Sequence, residues 1–430
     1  MKQYNLIVAG GGFAGVAAAI AGAREGLSVL LLEETNALGG AASRCLVNPF
    51  MPYWTPIYPK EGESKRELSA GIFSEICQRL VDMTRSVHGE TKYTKIPVGP
   101  FSEEYLKILL NRMVTESGAC ILYHTSVVAV KQENGTLISL TIANADGLSE
   151  ISADYYIDCT GDADLAHLAG FPCQLGREED HLCQPMTLCF RVGDVDRKKF
   201  DSQAAQLMQK LYKERQQAGL IKNIRENVLL FHTLADSVIH FNTTRVVKLN
   251  PTSAADVTKA EIEAREQVWE MFLFLRECVP GFENAQLLST AMHIGVRESR
   301  MIEGHYTLTQ EDLLACKKFE DGIAACNYDI DIHNPEGSGT SHYYFPPHEY
   351  YTIPYRCLVP KQAKNLLVAG RCISSTHEAQ ASYRIMPVVC TLGEAAGVAA
   401  AVAYREDQSV EKANVSAIRD ILRKNGAVID

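Results

Sequence analysis

Three clusters in this 430-residue chain gather side chains able to move protons or hold anions. Residues 371–378 read Arg-Cys-Ile-Ser-Ser-Thr-His-Glu and follow a strand-like apolar run, Asn365–Ala369. Open α/β sheets carry their sites just beyond such C-terminal strand ends, which makes His377 a candidate proton carrier. The competing reading is a histidine bonded to backbone in a tight turn. Arg384, seven residues on, offers a guanidinium to a carboxylate or hydroxyl, or a cap to Glu378. The second cluster, Arg297-Glu298-Ser299-Arg300, alternates charge in a way that favours a structural salt-bridge network, with Arg297 kept as a site candidate. The third runs from Asp329, Asp331 and His333 through His342, Tyr344 and His348 to Tyr355-Arg356. His333 is a second candidate proton carrier, and Tyr355 and Arg356 would help Arg384 and Arg297 to position a substrate. No HxxxH-type spacing is present, so no metal site is expected.

The elements that must position these groups are punctuated by glycine. Asn5–Ala9 is a short apolar run, Gly10-Gly-Gly12-Phe13-Ala14-Gly15 follows, and the alanine-rich Val16–Arg24 comes next. This is strand, turn and helix: Gly10 permits the turn, Gly12 lets backbone approach a pyrophosphate, and Gly15 lets helix pack on strand. Leu27–Leu32 reads as a second strand ending in Glu33 and Glu34, of which Glu33 is expected to accept from a ribose hydroxyl. A dinucleotide is therefore expected, with NAD and FAD sharing this half of the site.

A second glycine pair, Gly39-Gly40, precedes Ser43, and its amides and that hydroxyl could reach the far side of the pyrophosphate and a ribityl chain. An apolar strand beginning at Asp154 ends in Thr160-Gly161-Asp162, and another ends in Gly370-Arg371. Pro387 sits at an expected first helical position of a long helix reaching about Tyr404. The free amides and positive dipole of that N-terminus suit negative charge on the N1/O2 edge of a reduced flavin.

Composition narrows the partners. The net charge of −10 disfavours nucleic acid as the default partner, leaving a small-molecule substrate. Thirteen scattered cysteines form neither a disulfide framework nor a cluster motif, which points to a reducing, cytoplasmic setting. No uninterrupted apolar run reaches membrane-spanning length, and the glycine-rich N-terminus reads as mature structure rather than a signal.

The blocks VAGGGFAGVAAAIAGAREG, LLEETNALGGAAS, DYYIDCTGDADLAHLAG, MHIGVRESRMIEGHYTLTQEDL and NLLVAGRCISSTHEAQASYRIMPVVCTLGEAAGVAAA are spread over nearly the whole chain. Together they resemble the two-dinucleotide-fold flavoproteins, and within them the FAD-dependent oxidoreductases distantly like fumarate reductase and succinate dehydrogenase flavoprotein subunits. The resemblance implies FAD, with Gly10, Gly12, Ala14 and Gly15 at the pyrophosphate, Glu33 at the ribose, and Gly39, Gly40 and Ser43 toward the ribityl side. It also implies backbone contact of Val127 with adenine, closure of Thr160 and Gly161 over the adenosine half, and a flavin half lined by Gly370, Arg371, Met386 and Pro387. Respiratory relatives attach FAD through a histidine near the glycine pair. None lies between Gly39 and Val87, so noncovalent FAD is expected. Only Cys45 follows Gly40 closely, which leaves a disulfide-reductase mechanism unsupported and makes Cys45 an ordinary small residue near the ring.

The expected architecture is α/β: a discontinuous Rossmann-like FAD-binding domain (1–55, 100–172 and 350–430), an inserted α+β substrate domain (173–349), and a lid insertion (56–99). Within it, 103–117 reads as an amphipathic helix and Asn134-Gly135 as a hairpin turn. Met186–Val192, Val228–Phe231 and Arg245–Leu249 read as strands, and Val195–Gln217 and Ala255–Cys278 as helices. The expected activity is hydride transfer between flavin N5 and a small organic substrate, at a hydroxyl- or amine-bearing C–H or an activated C=C. The alternatives are a flavoprotein acting on RNA and an NAD-binding protein without FAD.

Overall fold

A computed structural model describes residues 4–60, 62–91 and 99–430. Its centre is a five-stranded parallel sheet in the order Leu366–Val368, Ala153–Asp158, Tyr4–Ala9, Val29–Leu32, Cys120–Leu122. The Tyr4–Ala9 strand is central, with Ala9 level with Leu32 on one side and Asp158 on the other. Five segments far apart in sequence thus end at one sheet edge, the arrangement that brings a cofactor's contacts together.

Two helices cover one face, and small residues decide how closely they meet. A Cβ on Gly393 would lie 2.0 Å from the Ala14 carbonyl oxygen, and one on Gly397 would lie 2.4 Å from that of Ala18. The helix Met386–Glu406 is therefore locked by backbone contact to the helix Phe13–Arg24. It is long and apolar enough to cross a membrane by composition, yet its residues from Met386 to Ala403 are all buried in this core. Its first residue is Met386, with Pro387 one position later than expected from sequence.

The amphipathic helix spans Glu103–Glu116, capped by Ser102. The hairpin pairs Ser126–Glu133 with Thr136–Asn144, and Asn134 and Gly135 both take positive φ, 50° and 83°, as that turn requires.

A separate apolar cluster surrounds a four-stranded antiparallel sheet, ordered Leu230–His232, Ile239–Phe241, Phe190–Gly193, Gln286–Thr290, with the helices Ser202–Gln217 and Ala254–Cys278 against it. The first of these helices starts later than its apolar pattern suggested, because Asp201 caps it by accepting from the Gln203 and Ala204 amides. Arg245–Leu249 is no strand: Val246 makes one bridge to Met186, Arg245 N–H donates to Gln267 Oε1, and Lys248 takes φ 61°. The strand Ile239–Phe241 fills that place in the sheet.

Of the segment 56–99, residues 61 and 92–98 lie outside the described residues. The helix Ile72–His88 within it buries Ile72, Phe73, Ile76, Cys77 and Leu80 in the main core. Leu308 to Phe345 contribute to that same core rather than to the cluster around the antiparallel sheet.

Candidate active site

The turn after the first strand is built as its glycines require. Gly10 takes φ 96°, and a Cβ there would stand 2.4 Å from the Cys159 carbonyl oxygen. A Cβ on Gly15 would stand 1.8 Å from the Gly10 carbonyl oxygen, so the helix starts in direct backbone contact with the turn. Gly12 differs. Its φ of −67° suits any residue, and a Cβ on it would meet only Gly40 Cα, at 4.0 Å. What keeps Gly12 small is therefore the space beside it. The helix has no side-chain cap and no acidic residue in its first turn, which leaves the amides of Phe13, Ala14 and Gly15 available to an anion. Phe13 itself points into the core, 5.5 Å from Phe50 ring to ring.

Glu33 is buried and mostly used: Oε2 accepts from the Gly11 amide at 2.7 Å, and Oε1 from the Thr35 amide and hydroxyl. A carboxylate has about four acceptor directions, so one is left for a ribose hydroxyl. Glu34 instead pairs with Arg44 at the surface. The second glycine pair is tied to the first by the Gly39 amide, which donates to the Gly11 carbonyl at 2.8 Å. Ser43 is buried in the short helix Ala41–Arg44, its hydroxyl turned 3.5 Å from the Gly40 carbonyl. Val127 lies in the hairpin opposite Ile142, at a register shift that frees backbone locally.

Buried Asp158, not singled out in the sequence, organises the Thr160 turn. It accepts from the Thr160 amide and hydroxyl and from the Ala166 amide. Burial pushes its carboxyl up to about 6 against those bonds. Gly161 has no room for a side chain: the Arg371 guanidinium occupies the space its Cβ would take, at 2.7 Å, where Arg371 pairs with Asp162 at 2.6 Å. Gly370 takes φ 119°, and Ala14 Cβ is the nearest atom to its absent side chain at 3.7 Å. The Met386 helix, like the first, begins without a side-chain cap or first-turn acid. Two uncapped helix N-termini, a glycine-lined gap and a partly free carboxylate fit the pyrophosphate, flavin and ribose of FAD. Cys45 is buried beside them, its thiol pushed up to about 11 by burial despite Arg44 and Arg371.

The polar cluster beyond the cofactor cradle is joined through Gln184, which the sequence did not single out. His377 Nδ1 lies 2.7 Å from Glu298 Oε1, and Glu298 Oε2 accepts from the Gln184 amide at 2.8 Å. Gln184 Oε1 accepts from Arg384 Nη2 and the His333 amide, and its Nε2 donates to Gln380 Oε1. Gln380 in turn donates to the Arg297 carbonyl. His377, Arg384, His333 and Arg297, scattered over 88 positions of the sequence, are thus one hydrogen-bonded group.

Their individual roles differ. Glu298 is fully buried and acceptor-only when ionised, so His377 donates Nδ1–H to it; among the described residues Nε2 has no partner. His333 is hemmed in: Arg245 Nη2 reaches its Nδ1 at 2.9 Å, and its Nε2 lies 3.3 Å from Asp331 Oδ2. Arginine only donates, so His333 is the Nε2–H tautomer. Burial, with Arg297 nearby, pushes it down to about 3 and keeps it neutral. Burial alone would raise Asp331, but His333, Arg384 and Arg297 outweigh it and hold its carboxyl well below the usual range.

Three expectations are corrected. Arg297, Glu298 and Arg300 form no network among themselves: Arg297 donates to the Pro185 carbonyl and Thr187, Glu298 takes His377, and Arg300 pairs with Asp164. On an extended segment neighbouring side chains face opposite ways, so each meets a different partner. Tyr355 and Arg356 are absent from the cluster, because Tyr355 donates to the Val410 carbonyl and half-exposed Arg356 pairs with Asp321 at 2.8 Å. Arg384 does not cap Glu378; it donates to Gln184 and the Asp331 carbonyl.

A parallel sheet with the glycine turn and two uncapped helix N-termini at one edge defines an FAD-binding flavoprotein of the Rossmann type. The chain belongs to the FAD dependent oxidoreductase family, whose model matches residues 5–422, and FAD is its cofactor. Solved structures similar to it include a flavin-dependent brominase (12% identity, TM-score 0.50, covering 97% of this chain and 83% of that one). A geranylgeranyl bacteriochlorophyll reductase-like protein from Thermoplasma acidophilum is also similar (12% identity, TM-score 0.44, 99% and 84%). So is glycine oxidase from Geobacillus kaustophilus (12% identity, TM-score 0.43, 96% of each chain). At these identities the likeness concerns the fold alone. No curated protein matches the chain.

Proposed function

We propose that this flavoprotein exchanges a hydride between flavin N5 and a small organic substrate, at a hydroxyl- or amine-bearing C–H or an activated C=C. Bound FAD supplies the two-electron acceptor or donor. The observation that carries the proton side of this reading is the His377–Glu298 pair: Nδ1–H is committed at 2.7 Å, which leaves Nε2 as the basic nitrogen. His377 takes or returns the proton, and Arg384 and Arg297 orient the substrate. His333, neutral and bonded on both ring nitrogens, serves to hold Asp331 rather than to carry the proton.

In the same reading FAD is bound noncovalently, and Gly370, Arg371, Met386, Pro387 and the Gly39–Ser43 turn line its flavin half. Thr160, Gly161 and Val127 border its adenosine half. Residues around the antiparallel sheet form the substrate domain, and the cofactor domain takes in the core-packed parts of 56–99 and 308–345. Thirteen cysteines, none of them in a disulfide among the described residues, support a reducing, cytoplasmic setting.

The test is His377→Ala. It should retain flavin while reduction by substrate slows by about 10²–10⁴, the usual worth of positioned acid–base catalysis. Unchanged kinetics of that half-reaction would remove His377 from the chemistry.

A further inference from the structure

We propose that the buried arginine cluster beside the flavin half binds the carboxylate of an organic acid that also carries a hydroxyl or amino group, with Arg225 and Arg384 taking the carboxylate and Asp331 the donor. This names a substrate class for the reaction proposed above and rests on that reading for its chemistry, though not for the binding.

Arg225 is only 5% exposed. Among the described residues its side chain has no hydrogen-bond or ion-pair partner, and its Nε is a buried orphan. A buried guanidinium without a partner is strongly unfavourable, so the position calls for an anion. Arg384 Nε is orphaned in the same way. The other two arginines already have acceptors within the protein. Arg245 donates to the Gly337 and Gly339 carbonyls, Thr340 and His333, and Arg297 to Pro185 and Thr187.

Four guanidiniums thus face two carboxylates, Asp331 and Glu226, with His333 neutral between them. The excess positive charge is felt at Arg297, which burial, then Arg384 and Arg225, push down to about 9. One acceptor also lacks a hydrogen bond: Asp331 Oδ1 is buried, with His342 Nδ1 no closer than 3.7 Å. A phosphate dianion would meet the ionised Asp331 and leave that acceptor empty. An acid bearing a hydroxyl or amine satisfies the two guanidiniums and Asp331 together.

The cluster also adjoins the elements proposed above to line the flavin half. Arg384 stands two residues before Met386, the start of the flavin-facing helix. The segment leading to Arg297 runs against the second glycine turn: the Met292 amide donates to the Arg44 carbonyl, and Gly295 faces Cys45 Cβ.

The test is a titration of the oxidised holoenzyme with lactate, mandelate, propionate, phenylacetate, inorganic phosphate and sodium chloride at matched ionic strength, read by flavin absorbance and thermal shift. Lactate or mandelate should bind saturably, and at least about tenfold tighter than propionate or phenylacetate, which lack the hydroxyl. Arg225→Met should keep its flavin and weaken that binding about 10–100-fold. Arg384→Gln is the second variant should the first lose flavin. Asp331→Asn should shrink the gap between hydroxy acid and plain acid. No saturable binding by either hydroxy acid, full affinity in the arginine variants, or tighter binding of phosphate would each overturn the proposal. Binding of hydroxy acids that never reduce the flavin would leave this site standing and sink the reaction proposed above instead.

Discussion

Glu298 and His377, 79 residues apart, meet through a 2.7 Å hydrogen bond in the interior, and the carboxylate sets which ring nitrogen of the histidine is free. Glu298→Gln tests that relationship. The amide can present an N–H to Nδ1 and so reverse the tautomer, placing the proton on Nε2 where a base is needed. Flavin content should be unchanged and substrate reduction of the flavin should slow by about 10²-fold or more in stopped-flow measurements. Equal rates would mean that the pair only holds the turn together.

Gly12 and Gly15 should separate cofactor binding from folding. Gly12→Ala has a permissive φ and 4.0 Å of clearance, so the protein should fold with wild-type circular dichroism yet bind FAD at least about tenfold more weakly, because the methyl group enters the pyrophosphate space. Gly15→Ala puts a carbon 1.8 Å from the Gly10 carbonyl oxygen and should cost about 1–3 kcal/mol or more of stability by denaturant unfolding. Similar behaviour of the two variants would contradict the distinct roles given them.

Glu394 should make stability fall as pH rises. It sits 1% exposed in the Met386–Glu406 helix and accepts from the Ile72 amide at 2.9 Å, capping a helix whose own N-cap, Gly71, has no side chain. Burial pushes its carboxyl up from 4.5 to about 7, while the Ile72 amide and Arg24 pull down and Glu75 pushes up. The folded protein therefore holds a proton that the unfolded chain releases near pH 4.5. This contribution is complete below about pH 4.5, is lost as pH rises to about 7, and is level above that. Glu394→Gln removes the titration. Its stability relative to wild type should improve between pH 5 and pH 8 by up to about 3 kcal/mol in urea unfolding. A pH-independent difference would refute this.

Cys45 should be inert although it lies beside the flavin cradle. Its thiol is buried and pushed up to about 11, so little thiolate exists at neutral pH. Iodoacetamide at pH 7.5 should leave Cys45 unmodified in the native holoenzyme by peptide mass mapping, and acid precipitation should release all the flavin into the supernatant. Rapid alkylation of Cys45, or yellow colour kept in the pellet, would reverse these assignments.

The cofactor half of this protein is written locally. Gly10, Gly12 and Gly15 stand within six residues, and Glu33 closes the next strand, so chain geometry alone brings them together; their spacing already stated the turn, the helix start and the ribose acid. The hairpin at Asn134-Gly135 and the amphipathic helix before it were legible for the same reason, each resting on a periodicity of neighbours. The substrate half was not legible. His377 and Arg384 drew notice by type, but their partners Glu298, Gln184 and Asp331 come from segments up to 200 residues away, and Arg356, equally suggestive in sequence, was claimed by Asp321 at the surface. Arg225 carried no signal whatever. Charge pairing and burial depend on which distant segments pack together, a matter of long-range apolar contacts that leaves no mark in local spacing. The sequence therefore determined that FAD is the cofactor and built the glycine turn that leaves helix amides open to an anion. Only the tertiary structure decided which histidine keeps a free nitrogen and which arginines keep free donors.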